Sequence, residues 1–94
     1  MRYFITAYDG SDASAPSRRQ AVREAHLDGM RVMKEKGQVI SGGALLNDEG
    51  GMIGSGLIVE FENKADLDHW LENDPYVTGG VWRDIRVHPF KQAV

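Results

Sequence analysis

Cysteine is absent from this chain, so disulfides, thiolate metal sites and cysteine nucleophiles are all excluded. No segment approaches the ~18 consecutive apolar residues of a membrane-spanning helix. The N-terminal stretch also reaches Asp9 before it could form the apolar part of a signal peptide. We therefore expect a cytoplasmic protein with no membrane partner, stabilised by packing or by assembly.

An excess of positive charge is also missing. The chain has 11 Lys and Arg against 14 Asp and Glu, a formal net charge of -3, and both signs are mixed along it. A nucleic-acid-binding protein normally needs a broad positive surface. In addition, Ser55 and Leu57 stand where an RNA-recognition domain places stacking aromatic residues. We expect no nucleic-acid partner.

The histidines show no metal-binding pattern, because His26, His69 and His88 lie on different predicted elements without ligand spacing. The glycine-rich run at 51–56 does not predict a phosphate-binding loop, since it leads into a strand and not into a helix N-terminus. The sequence therefore predicts neither a metal nor a cofactor.

A chain of 94 residues is expected to form one domain, residues 1–94. Patterns of apolar residues predict strands at 2–8, 38–46, 52–61 and 81–90, with helices at 16–36 and 63–74. This order predicts an α+β fold of the ferredoxin-like split βαβ type (βαββαβ), an antiparallel sheet with both helices on one face.

The ends of the two helices carry specific signals. Pro16 with the Ser17/Gln20 pair predicts the start of the first helix by a capping box, and Gly37 predicts its end. On this helix the apolar arc encloses His26, which is therefore expected to be buried. The residues of this predicted arc are Ala21, Val22, Ala25, Gly29, Val32 and Met33, with Met30 at its edge.

The second helix is predicted to begin at Asn63, with Asp66 three residues later, and to end at about Asn73 or Asp74. Pro75 sets this end, because it disfavours helical dihedral angles at the residue before it. Asp74 is thus predicted to lie at a fixed corner between a helix and the last strand.

The first predicted strand is apolar on both faces, with Tyr3 and Ile5 on one side and Phe4 on the other. Two helices cover only one face of such a sheet. The open face needs another cover, and a second copy of the chain supplies one. We therefore predict a homodimer packed sheet to sheet.

His26 and Asp74 are the first candidates for chemistry. If they are in contact, the carboxylate orients the imidazole and raises its basicity, which creates a general base. The alternative is a core histidine and an aspartate that serves only as a helix-end residue. The pattern of residues alone leaves both interpretations open.

Four further residues are candidates for substrate binding. Arg19 and Arg23, one turn apart beside His26, could hold an anionic or phenolate ligand, or could instead be surface arginines paired with acids. Ser41 and Ser55, each next to a glycine in a predicted strand, could donate to a substrate oxygen, or could simply mark strand irregularities.

Several of these residues lie in segments that resemble a known family, the YciI-like proteins, which are small dimeric α+β barrel domains of about this length. The resemblance spans nearly the whole chain, and Arg-x-x-His-Leu together with Asp-Pro-Tyr is more specific than either motif alone. The chain departs from the family pattern at Ser41 and at its Gly79-Gly80 pair. The matching segments are Arg23-Glu24-Ala25-His26-Leu27, Gly42-Gly43, Gly54-Ser55, Asp74-Pro75-Tyr76 and Val87-His88-Pro89-Phe90-Lys91.

The resemblance implies that His26 and Asp74 form the active-site dyad of the family and that Tyr76 contacts substrate. It also implies a cofactor-free lyase or isomerase that acts on a small aromatic or lactone-like molecule. One activity of the family is dehydrochlorination of a chlorinated hydroxyhydroquinone, in which a base removes a phenolic proton and chloride leaves. The alternative is a dimeric barrel that binds a small molecule, or serves as an accessory domain, without catalysing a reaction.

Overall fold

Four strands form one antiparallel sheet in the order β2-β3-β1-β4, with the helices packed on one face. A computed structural model describes residues 1–94. The predicted α+β, ferredoxin-like fold is confirmed, and none of its helices combines the length and apolarity needed to cross a bilayer. The elements are β1 (Arg2–Asp9), α1 (Ala15–Glu35), β2 (Val39–Leu46), β3 (Met52–Glu60), α2 (Lys64–Asn73), α3 (Pro75–Thr78) and β4 (Trp82–Pro89).

The core lies between the sheet and the helices. Strand alternation directs every second side chain of β1 to this side, where it meets the matching residues of β3. Phe4, Thr6 and Tyr8 point to the opposite face, which no element of the chain covers, and Tyr8 is 44% exposed there. The buried hydrophobic residues that form the central cluster are Tyr3, Ile5, Ala7, Met33, Val39, Leu57, Val59, Phe61, Leu67, Tyr76, Val81 and Trp82.

The first helix differs from its prediction in two respects. It begins at Ala15, and its N-cap Ser14 makes no side-chain capping bond, so the predicted Ser17/Gln20 capping box is wrong. Its buried face is also rotated. The predicted arc residues Ala21, Ala25, Gly29 and Val32 are exposed, whereas the buried residues are Ala15, Arg19, His26 and Met33. The rotation follows from Arg19, whose guanidinium finds buried polar partners on the sheet.

The corner after the second helix holds a short helix that the sequence pattern does not predict. As predicted, the Asn63 side chain caps α2 by accepting from the Asp66 N–H at 2.8 Å, and Asp74 is the first residue with extended dihedral angles. Pro75 then begins the one-turn helix α3, where its missing N–H has no consequence. Asp74 therefore ends one helix and caps the next.

The alternation of apolar residues along the last strand predicts Trp82 on the side opposite Ile85 and Val87, and this prediction is wrong. The register between β1 and β4 shifts between Tyr8 and Asp9, which leaves Arg83 as an extra residue. Such a bulge reverses the alternation of the strand before it. Trp82 consequently turns to the helix side and is 4% exposed.

Candidate active site

A cavity of about 370 Å³ lies between α1 and the edge strand β2. Small residues on β2 keep it open. A side chain at Gly42 would place its Cβ 2.6 Å from Leu57 Cδ2 and 3.7 Å from Met30 Cε, so the Leu57 side chain would have to shift to admit it. All seven site residues predicted from the sequence are near this cavity, and only Asp74 does not line it directly. The lining predicted residues are Arg19, Arg23, His26, Ser41, Ser55 and Tyr76.

His26 and Asp74 are in contact although 48 positions separate them, with Nδ1 of the imidazole 2.8 Å from Oδ2 of the carboxylate. Both side chains are buried, with exposures of 5% and 3%. Because a carboxylate only accepts hydrogen bonds, Nδ1 carries a proton, and in the neutral form of the imidazole the free lone pair is then on Nε2. Nε2 has no protein partner, and His26 lines the cavity. This geometry leaves a basic nitrogen available to a ligand.

Asp74 itself is held in place by the backbone of α3. Its Oδ2 also accepts from the Tyr76 N–H at 2.9 Å, so one oxygen serves two donors. Since the dihedral angles of Asp74 are fixed by the junction of α2 and α3, its carboxylate has a defined direction. The corner between the helices is thus the element that orients the imidazole.

Aromatic rings hold His26 from the other directions. The Tyr76 ring stacks on the imidazole with centroids 3.8 Å apart and planes at 12°, and the Trp82 ring meets it edge-on at 5.5 Å. The Arg19 guanidinium carbon also lies over the Tyr76 ring, 4.7 Å from its centroid. Burial raises the pKa of Tyr76 above 10.0, and the charges of Arg19 and Arg23 oppose this rise. The Tyr76 phenol is therefore a neutral group at physiological pH.

Arg19 belongs to a second buried polar network. Its Nη1 donates to both oxygens of Asp9 at 2.9 and 3.1 Å, and these side chains are 7% and 4% exposed. Its Nη2 donates to Ser55 Oγ at 3.1 Å, and Trp82 Nε1 donates to the same oxygen at 3.1 Å. With two N–H groups on its oxygen, the Ser55 hydroxyl has its own proton left to donate.

Asp9 was not identified from the sequence. It follows directly on an apolar strand, and an acid at that position is a common loop residue, so local pattern gave no reason to select it. Its burial depends on Arg19 crossing from α1, which is visible only in three dimensions. Asp9 neutralises Arg19 and fixes its direction, which in turn fixes Ser55.

The remaining predicted residues lie at the edge of the site. Arg23 is half-buried and has no hydrogen-bond or ion-pair partner in the protein, while Ser41 is exposed on β2 opposite Ile58. His69 and His88 are both exposed and take no part in the cavity. No group of three or more His, Cys, Asp or Glu residues is placed to hold a metal ion.

The model of the YCII-related domain matches residues 1–91. The chain belongs to the YCII-related family. Protein YciI of Escherichia coli O6:H1 is 36% identical over 99 aligned residues, which cover 99% of both chains. The resemblance drawn from the Arg-x-x-His-Leu and Asp-Pro-Tyr segments is confirmed.

Among solved structures, this YCII-related chain is similar to a 5-chloro-2-hydroxyhydroquinone dehydrochlorinase, TftG of Burkholderia phenoliruptrix AC1100, in complex with 2,5-dihydroxybenzoquinone. The two share 28% identity and a TM-score of 0.86, over 99% of this chain and 96% of the other. A dimeric ferredoxin-like protein from Jannaschia sp. CCS1 has a TM-score of 0.53 and 18% identity, over 97% and 98% of the chains. The second similarity concerns the fold alone.

Proposed function

We propose that this chain is a cofactor-free lyase that removes hydrogen chloride from a small hydroxylated aromatic ring, with His26 as general base and Asp74 as the residue that orients it. The observation that carries the proposal is the buried 2.8 Å hydrogen bond from His26 Nδ1 to Asp74 Oδ2 beside a cavity of ligand size. The similarity to the dehydrochlorinase TftG supports a chlorinated hydroxyhydroquinone as the substrate class.

The first step is a proton transfer to His26. Nε2 accepts the proton of a ring hydroxyl, and Asp74 stabilises the resulting imidazolium through the hydrogen bond from Nδ1. The stacked Tyr76 ring prevents the imidazole from rotating away from the bound ring. A base held in this way contributes roughly a hundredfold to ten-thousandfold in rate.

The elimination balances without an external oxidant. The ring carbon that carries chlorine takes up one proton, which the imidazolium of His26 can return. Two hydroxyl protons are lost in total, and chloride leaves with the bonding electron pair as the ring becomes a hydroxyquinone. The net change is loss of one proton and one chloride ion, because oxidation of the hydroquinone is matched by reduction of the carbon–chlorine bond.

The oxyanion that develops on the ring needs a donor. Ser55 meets this need, since Arg19 and Trp82 both donate to its oxygen and leave its hydroxyl proton for the ligand. In this assignment Arg19 acts through Ser55 and does not touch the substrate. Ser41 is an exposed residue that lines the cavity, and we assign it to the outer part of the ring.

The test is turnover of a chlorinated hydroxyhydroquinone under anaerobic conditions, followed by chloride release and quinone absorbance. We expect His26→Asn to lower kcat by about a hundredfold to ten-thousandfold. His69→Asn, at an exposed histidine outside the cavity, is the matched control and should keep wild-type turnover. Full activity in His26→Asn would rule out its role as the base.

A binding protein without catalytic activity is the competing function, and it makes a different prediction. It requires that the quinol raise the melting temperature of the wild-type protein while no chloride is released. His26→Asn would then change affinity alone. Under the lyase proposal, ligand stabilisation and chloride release occur together in the wild-type protein.

We also infer that the chain forms a homodimer through its open sheet face. Phe4 and Phe90 meet there with centroids 5.6 Å apart, Ile58 lies next to Phe4 across the strands, and Tyr8 is exposed. An exposed apolar face of this kind is typical of a protein–protein interface, and the Jannaschia protein of similar fold is described as dimeric.

Light scattering of the wild-type protein should give the mass of a dimer, and light scattering of Ile58→Lys should give the mass of a monomer. A wild-type monomer would contradict the inference.

A further inference from the structure

The cavity is far more basic than the chain that forms it. Four cationic side chains line it and no carboxylate does, although the chain as a whole has a formal net charge of -3. A neutral hydroxylated ring gives no reason for this concentration of positive charge. The four cations that line the cavity are Arg19, Arg23, Arg31 and Lys34.

Three of these cations already have partners within the protein: two form ion pairs with carboxylates and one donates to a backbone carbonyl. Arg23 is the exception, because it forms neither an ion pair nor a hydrogen bond. The three engaged contacts are Arg19 Nη1 to Asp9 at 2.9 Å, Arg31 Nη1 to Asp28 at 2.8 Å and Lys34 Nζ to the Ile40 carbonyl at 2.7 Å.

Arg23 is placed to reach the same ligand as His26. The two residues are three positions apart on α1, which puts their side chains side by side on the helix surface. Arg23 is half-buried, so a ligand that offers it no anion would remove its remaining water without replacing those hydrogen bonds. Its charge is also close enough to Tyr76 to oppose the effect of burial on the pKa of that phenol.

We propose that the substrate carries a carboxylate in addition to the hydroxyl that His26 deprotonates, and that Arg23 binds this carboxylate. This inference rests on the proposed function. Among the small chlorinated hydroxylated rings of that proposal, it favours rings that also carry a carboxylate over the chlorinated hydroxyhydroquinone on which TftG acts. The oxyanion formed during the reaction is served by Ser55, which leaves Arg23 for a group that is ionised before the reaction begins. A guanidinium also matches a carboxylate with two parallel hydrogen bonds.

Two probes of nearly equal size test the proposal: gentisate, a dihydroxybenzoate, and its uncharged amide gentisamide. Calorimetric titration of the wild-type protein should show gentisate binding about tenfold tighter or more, the effect of one charged hydrogen-bonded contact. Arg23→Gln should remove this preference while gentisamide binds as before. Arg86→Gln, at an exposed arginine on β4 outside the cavity, should keep the preference.

Arg23→Lys supplies a second variant that keeps the charge and loses the two-pronged geometry, so part of the preference should remain. Equal affinities of the wild-type protein for the two probes, absence of gentisate binding, or an unchanged preference in Arg23→Gln would each overturn the proposal. Circular dichroism of each variant verifies that the fold is intact.

The outcome is separable from that of the lyase proposal, because the titrations need no turnover. His26→Asn should keep the preference for gentisate over gentisamide while it loses chloride release. If His26→Asn releases chloride at the wild-type rate, His26 is not the base. The calorimetric titrations of Arg23→Gln still test whether Arg23 binds a carboxylate. If the two probes bind equally, the carboxylate inference fails and the base assignment still stands on turnover.

Discussion

Replacing Asp74 with asparagine tests whether its charge, beyond its position, contributes to the proposed chemistry. The Oδ2 atom accepts both from His26 Nδ1 at 2.8 Å and from the Tyr76 N–H at 2.9 Å. An asparagine whose amide oxygen takes this shared position keeps both hydrogen bonds and the same imidazole tautomer. Asp74→Asn therefore removes the negative charge with little change in geometry.

The expected loss of activity can be bounded from this geometry. A hydrogen bond to a charged group contributes about 1 kcal/mol more than one to a neutral group, which corresponds to a rate loss of about fivefold. Opposite charges centred about 4 Å apart interact by about 4 kcal/mol at an effective dielectric constant of about 20, which corresponds to about a thousandfold. We expect kcat to fall between these limits, and unfolding stability to fall by about 1–2 kcal/mol.

The assay combines anaerobic chloride release with nitrogen NMR of the His26 imidazole. The NMR spectrum of the wild-type protein should show the proton on Nδ1, and Asp74→Asn should show the same tautomer. Asp74→Ala is the contrasting variant, because it removes the acceptor of both donors and the cap of α3. It should lower stability further, by about 2–5 kcal/mol in total.

If Asp74→Asn kept the wild-type kcat and the proton on Nδ1, the negative charge of Asp74 would make no contribution to the activity. A fall in kcat accompanied by a proton on Nε2 would show that the charge also selects the tautomer. The contribution of charge and the contribution of position are thus measured separately.

Three further predictions concern the surroundings of the site. Asp9→Asn leaves the buried Arg19 guanidinium without its carboxylate, so urea denaturation should show a loss of about 3–5 kcal/mol; an unchanged midpoint would contradict this. Gly54→Ala drives a Cβ into a backbone oxygen of β1 and should lower stability by about 1–3 kcal/mol, whereas Gly43→Ala, at an open position, should lower it much less. Burial raises the pKa of Tyr76 above 10.0, so the unfolded chain loses this phenolic proton at a lower pH than the folded protein does. The stability that this group contributes is complete below pH 10.0 and falls as the pH rises further. Urea denaturation at several alkaline pH values should show this fall in the wild-type protein, and Tyr76→Phe should remove that part of it.

Features set by neighbouring residues were predictable. Gly37 ends the first helix with φ of 76°, as its position after a helical run predicts, and the Asn63 and Asp66 pair caps the second. Pro75 ends that helix at Asn73, because it keeps Asp74 in extended dihedral angles. Each of these outcomes depends on a few consecutive residues and their intrinsic dihedral preferences, which is why the sequence alone sufficed.

Features set by strand register were not predictable. The register shift between β1 and β4, at Tyr8 and Asp9, turns Trp82 towards the helices. The alternation of residues in the last strand does not predict the extra residue at Arg83. The rotation of the first helix has a similar origin, because Arg19 is buried only by virtue of Asp9 and Ser55 beneath it. A helical pattern that counts arginine as a surface residue places the buried face incorrectly.

The sequence by itself determined the order of the four strands and the two long helices, the end of the first helix at Gly37, both ends of the second helix, and the choice of His26 and Asp74 as candidates for chemistry. Only the tertiary structure decided that these two side chains meet at 2.8 Å across 48 positions, that Asp9 and Trp82 hold Arg19 and Ser55, and that Arg23 alone among the cavity cations has no partner. The physical reason is that propensities and caps act over a few residues, whereas these contacts depend on how the sheet registers and how α1 packs on it.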